Sequence, residues 1–155
     1  MKAINISLFD YNTGTFLGDT GPMRDIIARN NYAIITIDDV GQTPRTLKGF
    51  PEWMKGNRGF VHSFTFHDSE ESSEGCFSAI NAASVAADII SCKSLGLDLV
   101  VSCIAGLSRS GAIVQAAIDY GFEDTGRIRT PNNRIKGMVR EALGIEINAS
   151  TSMFN

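Results

Sequence analysis

Polar and apolar residues alternate along residues 2–9 (KAINISLF), the period of a strand with one buried face. Asp19, Thr20 and Pro22 bring helix-starting chemistry, and Met23, Ile26 and Ile27 then recur at helical spacing as far as Asn30. Residues 32–37 (YAIITI) form a short apolar run rich in β-branched side chains, which suits a buried strand ending at Asp38, Asp39 and Gly41. Two of the four prolines, Pro44 and Pro51, and the single tryptophan, Trp53, fall without period between Gly41 and Gly59, so this stretch reads as a long surface loop. Trp53 anchors either the loop itself or a substrate.

Residues 60–66 (FVHSFTF) supply the next strand. The Ser- and Glu-rich segment from His67 to Gly75 leads into a helix whose inward face is read as Phe77, Ile80, Ala83, Ala87 and Ile90. Leu97 to Ser102 is a further buried strand, and Ser108 to Tyr120 a helix with Ile113, Ala116, Ala117 and Tyr120 inward. A last helix is expected to start at Thr130 and Pro131 and to bury Ile135, Met138, Val139, Ala142 and Leu143. Strands alternating with helices predict an α/β fold, a central mainly parallel sheet of four to five strands with helices on both faces. No repeat or linker interrupts the 155 residues, so 1–155 reads as one domain.

Composition narrows the function. A net charge of −3 gives no overall pull toward nucleic acid or membrane. No apolar run approaches the roughly 18 residues of a membrane span, and the start MKAINISLFDY lacks a signal peptide's apolar core, so a soluble cytoplasmic protein is expected. Cys76, Cys92 and Cys103 are odd in number and irregularly spaced, which disfavours a disulfide framework and a cysteine-based zinc site and leaves one of them available as a nucleophile. His62 and His67 have no ligand-like spacing either, and neither metal nor cofactor is expected.

Ligands of such sheets bind beyond the carboxyl ends of the strands, which singles out the turn after the last buried strand. There the chain runs Ser102-Cys103-Ile104-Ala105-Gly106-Leu107-Ser108-Arg109-Ser110-Gly111. A loop this short must curl back, aiming successive N–H groups into one concavity, and Gly106 permits the dihedrals that curling needs. The following helix adds its N-terminal partial charge, so the cradle from Ile104 to Ser108 fits a phosphate-sized dianion. Cys103 at its floor is expected to favour the thiolate. Arg109 offers a planar fork for two phosphoryl oxygens, and the Ser110 hydroxyl can hydrogen-bond the sulfur and help it leave. Attack on phosphorus by the thiolate gives a cysteinyl-phosphate that water hydrolyses, without a metal.

Cys103 to Ser110 resembles the phosphate-binding loop of cysteine-dependent protein tyrosine phosphatases, closest to the compact dual-specificity type, with the likeness running from about Phe60 to Leu143. The resemblance implies Cys103 as nucleophile, Arg109 as ligand of phosphate and transition state, and Ser110 as the residue assisting breakdown of the intermediate. It also implies an Asp general acid some 30 to 40 residues upstream. Asp68, 35 residues before Cys103, takes that place, with Glu70, Glu71 and Glu74 as competitors and Asp38 and Asp39 as outsiders. Asn132, after Pro131, resembles the family's Asn that binds the phosphate loop; it equally suits capping of its own helix. Ser102 departs from the pattern, standing where the family most often has His.

These readings give a phosphomonoesterase acting on phosphotyrosine, and on phosphoserine or phosphothreonine, in proteins or peptides. Members of the family the chain resembles that take polyanionic lipid headgroups tend to carry extra positive charge in the loop, so the resemblance, with no Lys between Ile104 and Ser108, argues against such substrates. Three rivals stay open. A non-catalytic phosphate-binding module would be expected to lack the Cys or the Arg. An RNA 5′-phosphatase would use the same loop, and the basic residues Arg127, Arg129, Arg134, Lys136 and Arg140 keep that reading alive. A thiol oxyanion reductase would want a resolving cysteine within ten residues of Cys103, where none occurs.

Overall fold

Alternate residues of the strands face opposite ways, and here both ways lead into a core. In the computed structural model, which describes residues 1–16 and 21–145, the strands are β1 (Lys2–Ile6), β2 (Tyr32–Asp38), β3 (Val61–Thr65), β4 (Asp98–Ser102) and β5 (Glu123–Asp124). They form one sheet in the order β3-β2-β4-β1-β5 with every pairing parallel. Ala3, Ala33, Ile35, Ile37, Leu99 and Val101 pack on one face against α3 (Ala79–Leu95), α4 (Arg109–Asp119) and α5 (Asn133–Ala142). Ile4, Ile6, Ile34 and Val100 pack on the other against α1 (Leu8–Thr13) and α2 (Pro22–Arg29). Double coverage explains why β2 and β4 read as unbroken apolar runs rather than alternating ones.

Several boundaries differ from the sequence reading. The first strand stops at Ile6, because the Ser7 hydroxyl accepts from the Asp10 amide and caps α1, which occupies residues read as strand. Asp19 and Thr20 lie outside the described residues; α2 begins at Pro22, with Gly21 as its N-cap. The long loop holds two 3₁₀ turns, Arg45–Lys48 and Glu52–Met54. Within it Trp53 anchors the loop: its ring stacks on Tyr32 and meets Tyr11 and Phe16 edge-on, and its Nε1 donates to the Tyr11 carbonyl at 2.8 Å.

The inward face of α3 is Ala82, Val85, Ala86, Ile89 and Cys92, while Ile80, Ala83, Ala87 and Ile90 are exposed. Alanine and isoleucine occupy both sides of this helix, so the pattern alone did not choose between them. The final helix starts at Asn133 rather than Thr130, since Asn132 is its N-cap, and Ala142 at its end is exposed. The two-residue edge strand β5, too short for a period, had no signature. No described helix is long and apolar enough to cross a membrane.

Candidate active site

Because all strands run the same way, Ser7, Asp38, Phe66 and Ser102 bring their following loops to one edge of the sheet. The loop from Cys103 to Ser108 lies at its centre, between β4 and α4. Its carbonyls are turned outward and bonded: Ile104 O accepts from the Leu8 amide (3.0 Å), Gly106 O from Asn5 Nδ2 (2.7 Å), Leu107 O from the Thr130 amide (3.1 Å) and Ser108 O from the Asn132 amide (3.1 Å). The amides of Ile104, Ala105, Leu107 and Ser108 have no acceptor among the described residues. This is the donor-rich nest an anion requires. Gly106 permits it, with φ of 75° and the site of a Cβ only 2.5 Å from the Ser7 nitrogen.

The Cys103 sulfur is buried, 2% exposed for the residue, and makes two polar contacts: the Gly106 N–H at 3.2 Å and the Ser110 hydroxyl at 3.1 Å. Ser108, the N-cap of α4, does not bond its own helix; its hydroxyl donates to Asp68 at 2.9 Å, leaving the helix start uncapped by a side chain. Arg109 is buried and held by one nitrogen, Nη1, which donates to the Phe66 carbonyl (2.9 Å) and to Asp39 (2.8 Å). Its Nε and Nη2 have no acceptor among the described residues, which leaves one bidentate edge for a ligand.

Asp68 sits at the rim, where its Oδ1 also accepts from Asn132 Nδ2 at 2.9 Å. Asn132 does two things at once: its amide nitrogen holds Asp68 and the Ser69 carbonyl, and its oxygen accepts from the Ile135 amide to cap α5. The competitor Glu70 is engaged elsewhere, its carboxylate taking the amides of Asn133 and Arg134 at 2.9 Å each. Sequence reasoning thus brought Cys103, Gly106, Ser108, Arg109, Ser110, Asp68 and Asn132 to one place. It missed three residues. Asn5 and Arg45 bond to the loop's flanks, and Asp39, named only as an outsider, is paired to Arg109. Each acts across more than sixty residues or from an unpatterned loop, where spacing carries no signal.

Arg45 and Asp38 form a buried ion pair behind the loop, Nε to Oδ1 at 2.9 Å. A cleft of about 410 Å³ opens beside it, lined by Tyr11, Asn12, Asp39, Lys48, Phe50 and Ile104 among others. The other candidate groups stand apart from this chemistry. His62 pairs with Asp88 at 2.6 Å, and burial pushes the Asp88 carboxyl upward. Burial likewise pushes the Cys92 thiol up to about 12, whereas the Ser73 hydroxyl beside Cys76 lowers that thiol. Among the described residues no three His, Cys, Asp or Glu side chains converge as a metal site.

No protein-family profile and no curated protein sequence matches the chain. Solved structures do. The human tyrosine phosphatase-like serine/threonine/tyrosine-interacting protein is 17% identical over 92% of this chain and 91% of its own, with a TM-score of 0.54. PTPMT1 in complex with PI(5)P is 13% identical over 99% of this chain and 95% of its own, with a TM-score of 0.52. With its parallel sheet, covered faces and cysteine-bearing loop, this chain has the fold of the tyrosine phosphatase-like structures.

Proposed function

We propose that the chain is a cysteine-dependent phosphomonoesterase of protein or peptide substrates, hydrolysing phosphotyrosine and, with it, phosphoserine or phosphothreonine. The observation that carries this reading is the loop itself: outward carbonyls, inward amides and a buried sulfur bonded to Gly106 N–H and the Ser110 hydroxyl. The Cys103 thiolate attacks phosphorus while the amides of Ile104 to Ser108 and the free edge of Arg109 take the phosphoryl oxygens. The ester P–O bond breaks, and Asp68 gives its proton to the departing oxygen. Water then attacks phosphorus, returning a proton to the Asp68 carboxylate, and the P–S bond breaks as Ser110 donates to the leaving sulfur. Asp39 keeps Arg109 in place, and Asn132 steadies Asp68.

The cleft beside Ile104 supports a substrate that extends away from the phosphate, as a peptide side chain does. The RNA reading loses support from the basic residues: Arg127, Arg129 and Arg140 are committed to Asp10, Asp124 and Asp119. The test is hydrolysis of para-nitrophenyl phosphate with chelator present, followed by phosphopeptides, RNA 5′ ends and inositol phosphates. Turnover is expected in the wild type, with phosphopeptides preferred, and Cys103→Ser abolishes it while still binding phosphate ester. Undiminished hydrolysis by that variant overturns the mechanism; binding without turnover in the wild type identifies a recognition module instead.

A further inference from the structure

The residue before the nucleophile is Ser102, and its side chain is held by a buried cation. Arg45 is 6% exposed and comes from the long loop, 57 residues upstream of Ser102. Asp38 engages one side of it, Oδ1 taking Nε at 2.9 Å and Oδ2 taking the Arg45 amide at 3.1 Å. The opposite, Nη edge faces the end of β4: Nη1 donates to Ser102 Oγ at 2.5 Å, and Nη2 reaches the Ile37 carbonyl at 2.9 Å and the Ser102 carbonyl at 3.5 Å. The Tyr11 ring lies against the guanidinium, 4.8 Å from its centroid.

A buried ion pair is a poor source of stability, because desolvating both charges offsets their attraction. Its orientation is what is informative. With the carboxylate on the Nε side, the pair is a fixed dipole whose positive end meets the residue preceding Cys103. Ser102 Oγ, accepting from a cation, keeps its own proton for the Ser7 carbonyl at 3.3 Å, the N-cap residue of α1, whose next amide holds Ile104 O. One guanidinium therefore fixes both the start of the loop and the helix bracing it.

We infer that Arg45 is a positioning residue for the reaction: through the Ser102 hydroxyl it fixes the Cys103 end of the phosphate loop. This rests on Cys103 being the nucleophile proposed above, but not on the identity of any substrate. The loop that carries Arg45 also lines the cleft, through Lys48 and Phe50.

The test is the rate at which iodoacetamide alkylates Cys103, followed by mass spectrometry across pH, in the full chain. Three variants are compared: Ser102→Ala, which spares the ion pair; Asp38→Asn with Arg45→Met, which removes both charges together; and Arg45→Lys. The first two are expected to slow alkylation about tenfold across the pH range, because the sulfur loses its fixed place beside the Gly106 amide and the Ser110 hydroxyl. Arg45→Lys, keeping the charge without the fork, is expected to recover part of the rate. Circular dichroism and a cooperative melt establish folding, and Ser102→Ala serves if the double variant does not fold. An unchanged alkylation rate in folded Ser102→Ala overturns the inference, as does a wild-type rate in the folded double variant. If the wild type hydrolyses no phosphate ester yet shows these alkylation differences, the phosphatase reading fails and this one stands.

Discussion

Gly106 and Asp68 show how narrowly single residues are constrained here. A side chain at 106 meets the Ser7 and Ile6 backbone, with the nearest atom at 2.5 Å, in a left-handed conformation that costs a non-glycine residue about 1–3 kcal/mol. Gly106→Ala is therefore expected to lower the melting temperature and, by displacing the amides beside Cys103, to cut para-nitrophenyl phosphate hydrolysis roughly 100-fold. A melt and a rate measured on the same sample check both. Asp68→Asn keeps the shape and loses the proton. It is expected to slow a phosphotyrosyl peptide by about 10² to 10⁴ and an ester of a strongly acidic phenol far less, which parallel kinetics on the two esters reads directly. The loop of residues 102 to 111 was legible because Cys103, Gly106 and Arg109 fall in one contiguous stretch of sequence. Asn5, Asp39 and Arg45 were not, since each becomes relevant only once β1, β2 and β4 lie side by side.

Among the elements, the start of α5 and the segment after β3 form one fastening. Asn132 supplies the cap, the Glu70 carboxylate covers the next two amides, and Asn132 in turn grips Asp68 and Ser69. Glu70→Ala is expected to cost about 1 kcal/mol, the size of a lost helix cap, and to lower kcat with little change in KM, because the acid-bearing segment loosens while the phosphate loop does not. Chemical denaturation and steady-state kinetics separate the two effects. The periodic elements were read best where one face alone was apolar, as in α5, whose Ile135 and Val139 are buried as read. α3 was misread by about one position because its outer face carries Ile80, Ile90 and alanines that imitate an inner one. α1 hid inside an apparent strand, six residues being too few to establish a helical period.

Across the molecule, the sheet is closed at one edge by the short strand β5, whose Asp124 accepts from Arg129 at 2.7 Å and from the Gly126 amide at 2.8 Å. The Arg129 hydrogen bond, more than the amide or the general charge, lowers the Asp124 carboxyl below its ordinary value. Its folded value thus lies below the unfolded one of about 3.9, so the contribution is complete above that pH and is lost as pH falls through the folded value. Asp124 is half exposed, which keeps the contribution under about 1 kcal/mol. Asp124→Asn is expected to melt slightly below the wild type at pH 7 and together with it near pH 2, as thermal melts at the two pH values test. The α/β class and parallel sheet were legible in the alternation of elements. Strand order was not, because it is set by which buried faces meet rather than by any local pattern.

The lone tryptophan gives the molecule an optical property. Trp53 is wedged between Tyr32, Phe16 and the helix whose first amide holds Ile104, and it lies three residues from Phe50 on the wall of the cleft. Its emission therefore comes from a single, half-buried environment that adjoins both the cleft wall and the brace of the phosphate loop. Occupancy of the site is expected to register in intrinsic fluorescence without a label, so that inert oxyanions can be titrated even where no reaction product exists to count.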